Sequence, residues 1–557
     1  MQSVSSVCRH AFFSGLDLAR AAALQKYREG KGMKRKLAAV LPALVMALLL
    51  GLSVFFVACD SGTESGGQNT EQSGEEQEGT EQGGGNEGET GGETGDGGET
   101  GEEGDGDGET GGEDPAPVPD VSDKLVFTLN SEKTAYSVTR MDTSAAGSVT
   151  IPSTYNGLPV TSIGDWAFET CSSLMEITIP EGVTSIGEYA FSGCYNLTEI
   201  TIPDGVTSIG LGVLSSCGGL NSVSLPESVA SIGEVAFSEC SSLTEISIPA
   251  NVTSIGMDAF RNCSSLMEIT IPERVTNIGN RAFFGCSSLT GINVAEGNTV
   301  YHSEGNCLIE TTTKTLILGC QNSVIPTDGS VTSIGSDAFR LCSDLMEIVI
   351  PVCVTSIGSS AFHGCNLKEI TIPEGVTSIN SGVFSYCTRL TKIKIPAGVT
   401  SIGESAFVYC SSLTEITIPA GVRSIDSSAF EGCSSLTEIT IPEGVTGIGE
   451  SAFEGCSSLT EITIPAGVTS IGSSAFEGCS SLTEITIPAE VTGIGFSAFY
   501  GCNYLTSVTF ENKEGWWLLT SSTATSGTEI ASSDLAAPAT AAEYLTSTYY
   551  NYYWHRS

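Results

Sequence analysis

The sequence predicts a β-rich repeat solenoid standing behind a disordered acidic tether, and three observations carry that prediction. Proline recurs at Pro180, Pro203, Pro226, Pro249 and Pro272, then at Pro351, Pro373, Pro396, Pro419, Pro442, Pro465 and Pro488, stepping by 23 residues with one step of 22. Apolar and polar residues alternate just before each proline, the period of a strand with one buried face. Between Asp60 and Asp120 lie 20 acidic residues with no Lys or Arg and no aromatic residue, a composition that no packed core can use. One 23-residue unit cannot bury its own apolar face, so neighbours must stack into a continuous core. Around 15 coils at ~4.8 Å per stacked strand give a rod or arc of roughly 70 Å.

The N-terminal elements read as an export and tethering device. Residues 1–32 fit no targeting segment; Glu29-Gly30-Lys31-Gly32 would be encoded by a purine-rich stretch resembling a ribosome-binding site, so Met33 is the expected start. Lys34, Arg35 and Lys36 before the apolar run Leu37 to Ala58 have the charge layout of a signal peptide over 33–58. Phe56-Val57-Ala58-Cys59 resembles a bacterial lipobox, with Cys59 as the lipidated thiol, although Phe56 departs from the usual Leu. A run of ~20 apolar residues also fits an uncleaved transmembrane anchor or an ordinary signal peptide. Residues 59–120 then form a disordered spacer; a flexible 55-residue coil spans roughly 40 Å, and more when charged.

The net charge of −42 excludes phosphate-driven nucleic-acid binding, which needs clustered Lys and Arg. The alternating segments Leu125–Leu129 and Tyr136–Val138 read as an N-terminal β cap over 121–147. The solenoid is expected over 148–510. Its unit, counted from Leu174 as offset 0, is L0-x-x-I3-x-I5-P6-x-x-V9-x-x-I12-G13-x-x-A16-F17-x-x-C20. Ile177 and Ile179 form the buried face of one parallel-sheet strand per repeat. Pro180 ends the ladder because it has no N–H to donate. Short turns or helical segments return the chain, with Val183, Ile186, Ala190 and Phe191 inward. Phe168, Phe237, Phe260, Phe283, Phe407, Phe430, Phe453, Phe476 and Phe499 share one offset and predict a stacked aromatic spine.

Offset 13 is Gly at nearly every turn, and its two exceptions are Asn380 and Asp426. Asn and Asp tolerate positive φ best among non-glycine residues, so a left-handed residue is expected there.

This string resembles the BspA-like leucine-rich-repeat proteins, a bacterial surface-antigen family, over about residues 124 to 510. The segment Ala295 to Ser330, with Tyr301-His302-Ser303, resembles that family's longer hairpin-bearing repeat. The resemblance implies a cell-surface adhesin, exposed to the exterior, that binds host matrix proteins or other cells. The alternative is a structural surface-layer or stalk protein that self-associates. After Phe510, residues 511–557 carry Trp516-Trp517, a short helix near Ala541 to Leu545, and Tyr549 to Trp554. They read as a C-terminal cap or as an aromatic binding or sorting tail.

Fourteen cysteines share offset 20, from Cys171 to Cys502. Stacked neighbours would lie ~5 Å apart with parallel Cβ atoms, which favours buried free thiols over disulfides. No cysteine pair has zinc spacing. His363 is expected on an exposed variable offset. No catalytic motif stands out, so neither an enzyme nor a cofactor is expected.

The candidate ligand face is the outward side of the strands. Offset 2 is Glu at Glu176, Glu199, Glu245, Glu268, Glu347, Glu369, Glu415, Glu438, Glu461 and Glu484, interrupted by Lys392 with Lys394 beside it. Either this row is simply solvated, or a basic protein surface or calcium neutralises it.

Overall fold

In the computed structural model, the described residues are 120, 122–142 and 147–557. The readings placed on 1–119 (the start at Met33, the signal segment, Cys59 and the tether) lie outside them.

Each regular coil has three sides. The front side is the expected strand, running parallel to its neighbours: Glu415–Thr417, Glu438–Thr440 and Glu461–Thr463 pair residue for residue, Glu facing Glu and Ile facing Ile. A second side adds a two-residue strand at offsets 11 and 12. Ser231–Ile232 pairs in parallel with Ser208–Ile209 below and Ser254–Ile255 above. The third side is a row of tight turns over offsets 14 to 19. Its N–H groups at offsets 15, 17 and 19 donate to the next coil, as Ser451 to Ser473 O at 2.8 Å, Phe453 to Ala475 O at 2.8 Å and Gly455 to Glu477 O at 2.7 Å. All three sides thus satisfy backbone polar groups between coils, which lets a chain with little helix bury its backbone.

The interior follows the repeat. Val445, Ile448, Ala452, Phe453, Cys456 and Leu459 are all buried in one coil, and the same offsets are buried through the stack. Successive Phe rings lie face to face, with centroids 5.1 to 5.7 Å apart, as the aromatic spine requires.

The handedness expected at offset 13 is wrong. The left-handed residues are at offset 15, as Tyr189 (φ 54°), Val235 (φ 49°) and Ser451 (φ 53°), and at offset 19, as Glu239 (φ 65°), Tyr409 (φ 55°) and Gly455 (φ 70°). Non-glycine residues bear that conformation at a cost of about 1–2 kcal/mol each, and the turn ladder holds them there. The offset-13 glycines answer a different demand, close approach between coils. A Cβ on Gly233 would stand 2.7 Å from the carbonyl carbon of Gly210, and one on Gly449 would stand 2.6 Å from that of Asp426. Their N–H groups donate across the same gap, Gly449 to Ile425 O at 2.9 Å. At Asn380 the side-chain Nδ2 makes that link instead, to Ile357 O at 2.7 Å.

Both ends are covered. Leu125–Leu129 pairs antiparallel with Tyr136–Met141, which lies parallel to Leu158–Ile163 and so begins the stack. At the other end, Tyr553–Arg556 lies antiparallel between Gly493–Ile494 and Trp516–Leu519. Trp516 and Trp554 are buried, closing the last coil. The helix is Pro538–Glu543, continued by a π turn over Tyr544–Thr548. The C-terminal segment is therefore a cap, and Trp554 belongs to the core.

The hairpin repeat interrupts the stack. Tyr301–Glu304, Cys307–Glu310 and Thr315–Leu318 form an antiparallel meander, and the last of these strands resumes the parallel sheet with Ser333–Ile334. The buried residues fall into two clusters that meet here: Leu308 packs with the N-terminal one, Cys307 and Ile309 with the C-terminal one. Side chains make many of the links across the junction. Tyr301 Oη accepts from Ile278 N–H at 3.1 Å, and Ser303 Oγ accepts from Val294 N–H at 3.0 Å.

Candidate ligand-binding face

Alternation along the front strand decides what reaches solvent. Offset 3 is buried in most coils while offsets 2 and 4 point out, as in the exposed–buried–exposed run of Glu438–Thr440. All ten glutamates of the predicted row are exposed. Eight sit in strands; Glu245 and Glu347 occupy the same offset where the backbone is irregular.

The structure joins only part of the row into one ladder. Glu369, Lys392, Glu415, Glu438 and Glu461 stand on five hydrogen-bonded strands in register. Lys392 Nζ lies 3.5 Å from Glu415 Oε1, both side chains well exposed, so the pair contributes under about 1 kcal/mol. Glu438 and Glu461 have no such cation beside them in the ladder. A shallow groove of about 460 Å³ crosses this stretch, lined by Lys392, Lys394, Glu415, Thr417, Glu438 and Thr440. Carboxylates and hydroxyls at a fixed strand spacing can accept several hydrogen bonds from a basic surface at once. Among the described residues, no three His, Cys, Asp or Glu side chains gather closely enough to hold a metal ion.

The thiols form a second regular feature. All fourteen offset-20 cysteines are free and buried. Most donate to the offset-17 carbonyl of the preceding coil, as Cys456 to Phe430 O at 3.2 Å and Cys502 to Phe476 O at 3.1 Å. Burial pushes the ionisation up to about 12 at Cys433 and Cys502. They are core side chains with a weak hydrogen bond, poor nucleophiles by their surroundings.

His363 departs from its expected exposure. It is half-buried, its ring 5.3 Å from that of Tyr386. Burial, then the Arg340 charge, lowers its pKa to about 4. Sequence reasoning also passed over Arg261, Arg281, Phe284 and Arg340. Their signal was available as departures at offsets 15 and 18, positions held by small or acidic residues in most coils.

Comparison with known proteins gives a consistent picture. The family described as BspA type leucine-rich repeat region (6 copies) matches residues 142–241, 212–329, 318–437 and 400–515. Among solved structures, the chain is similar to a leucine-rich repeat protein from Bacteroides ovatus, 33% identical over 69% of this chain and 93% of that one, TM-score 0.48. It is also similar to a leucine-rich cell surface protein from Faecalibacterium prausnitzii, 31% identical over 63% and 94%, TM-score 0.47. The pneumococcal vaccine antigen PcpA is 22% identical over 66% and 88%, TM-score 0.40. No curated protein matches the chain.

Proposed function

The chain belongs to the BspA-type leucine-rich-repeat family, and from that premise we propose that it is a cell-surface adhesin whose acidic front sheet binds a basic protein surface. The observation that carries this reading is the in-register run of exposed carboxylates and threonines from Glu415 to Thr463. Like charges held one strand apart repel by roughly 1 to 3 kcal/mol per pair between bulk-water and surface dielectric values, which a cationic partner relieves. The partner class is a host matrix protein or a protein on another cell. Export, lipid attachment at Cys59 and a spacer over 60–120 complete the proposal, placing the solenoid outside the membrane. Binding rather than catalysis is the activity.

Self-association into a surface layer is the weaker reading, because both ends of the solenoid carry caps that cover the edges a neighbouring copy would stack on.

The test is binding of the full chain to a panel of immobilised matrix proteins at several salt concentrations. Replacing Glu415, Glu438, Glu461 and Glu484 by Gln should weaken binding and flatten its salt dependence. A quadruple variant that binds as tightly as wild type at low salt would show that this face is not the site.

A further inference from the structure

The hairpin repeat leaves a cleft in the stack. The turn segments 279–286 and 335–342 face each other across a cavity of about 310 Å³. Its lining includes Arg281, Phe283, Phe284, Leu318, Ser336 and Arg340. Three guanidinium groups gather over one ring: Arg281, Arg340 and Arg261 lie 4.7, 5.0 and 5.8 Å from the centre of Phe284. Two carboxylates accompany them, Asp258 at 3.3 Å from Arg281 and Asp337 at 3.2 Å from Arg340. Three guanidinium groups thus share one ring of the cavity wall, in a chain whose formal charge is −42. Arg340 Nε is buried with no hydrogen-bond partner.

The backbone supplies further donors. In a regular coil the N–H groups at offsets 15, 17 and 19 reach carbonyls of the next coil. Here that ladder stops. Ala338 O, which Phe283 N–H would otherwise reach, accepts from Gly319 N–H at 2.8 Å. Among the described residues, the N–H groups of Arg281, Phe283 and Gly285 donate to no carbonyl. One coil further on, His363 stays neutral well below its usual range, burial acting first and the Arg340 charge second.

We propose that this cleft binds an oxyanion group, a carboxylate or a phosphate, carried by a small molecule. Guanidinium forks match such groups bidentately, and Arg281 and Phe283, which line the cavity and whose N–H groups reach no carbonyl among the described residues, can add backbone donors. The volume lies at the small end of ligand pockets, enough for one sugar acid or phosphate ester. This site is separate from the acidic face and faces the opposite sign of charge. If the arginines only seal the junction by stacking on Phe284, no anion will bind.

Calorimetric titration of the full chain at low salt, with inorganic phosphate, glucuronate and uncharged glucose, tests the assignment. Saturable binding of phosphate or glucuronate, with none of glucose, is expected, and the stronger of the two names the oxyanion. Arg340→Gln should weaken that binding about ten- to hundredfold, the loss of a charge-assisted contact. Because Arg340 also holds Asp337, a second variant guards against misfolding. Ser336→Glu, exposed at the rim, supplies an internal carboxylate and should abolish binding while melting no lower than wild type. No heat with any anion at millimolar concentration, or wild-type binding by both variants, overturns the proposal. The quadruple Glu→Gln variant keeps anion binding, so failure of the adhesive face and failure of this cleft are read separately.

Discussion

Replacing Gly449 by Ala tests why glycine recurs at the coil-to-coil contact. The added Cβ would meet backbone atoms, 2.6 Å from both Asp426 C and Ser427 N and 2.9 Å from Asp426 O. No side-chain rotation relieves that, so the two coils must part. Forced overpacking costs about 1–3 kcal/mol. Parting also stretches the Gly449 N–H bond to Ile425 O, now 2.9 Å, worth about 0.5–1.5 kcal/mol. The expected sum is about 2–4 kcal/mol, concentrated where the 425 and 449 turns meet. In a stack held by nearest-neighbour contacts, that loss shows as local opening before global melting. Hydrogen exchange with mass spectrometry should find peptides over 424–453 exchanging about 30- to 1000-fold faster, with peptides over 222–260 unchanged. Gly449→Val should resemble Gly449→Ala, because the first carbon already collides. Gly449→Asn should recover part of the loss through its amide, as Asn380 does. By contrast Ser451→Gly, at φ 53°, should slow exchange or leave it unchanged. Wild-type exchange in Gly449→Ala would refute the close-approach reasoning.

Three further outcomes follow from the same geometry. Iodoacetamide applied to the native chain should label Cys353, which is partly exposed, and leave the fourteen offset-20 thiols unmodified by peptide mapping. Cys433 and Cys502 among them have folded pKa values raised above the ordinary 9.0, to about 12. Their contribution to stability is therefore full below pH 9 and drains away as pH rises toward 12, and chemical denaturation at pH 8 and pH 10.5 should show it. The sign is reversed at His363, whose folded pKa is depressed from 6.5 to about 4. The neutral imidazole stabilises above pH 6.5 and that gain is lost as pH falls toward 4. His363→Phe should thus lose less stability than wild type between pH 7 and pH 5, by a kcal/mol or two; equal losses would contradict the assigned burial. Truncation after Phe510 strips Trp516 and Trp554 from the last coil, and should produce an aggregating chain by size-exclusion chromatography rather than a shorter monomer.

The repeat itself was legible because its apolar offsets report burial directly. Ile177, Val183, Phe191 and their equivalents had to face inward, and the outward Glu row followed from strand alternation. Glycine at offset 13 was ambiguous in kind. A missing Cβ serves either positive φ or close packing, and the Asn and Asp exceptions pointed to the first. The residues that do adopt positive φ, such as Tyr189 and Val235, are types that do not advertise it. Inter-coil hydrogen bonds impose that conformation on them, and such bonds have no sequence signature. The arginine cleft was hidden for another reason. Phe284 and Arg340 become neighbours only because the hairpin repeat folds aside, and the fixed 23-residue step no longer says which positions touch.

The junction at that hairpin has a mechanical meaning. A stack pulled from its two ends carries load through the ladders between coils, and along most of its length those ladders are backbone bonds on three sides. Around Tyr301–Leu318 both parallel sheets and the turn ladder are interrupted, and side chains such as Tyr301 and Ser303 carry part of the tension. Force would find its yield point there, opening the seam between two interiors that are each complete. Force-extension of single molecules is expected to read this seam as one early rupture, before the folded stacks on either side unfold.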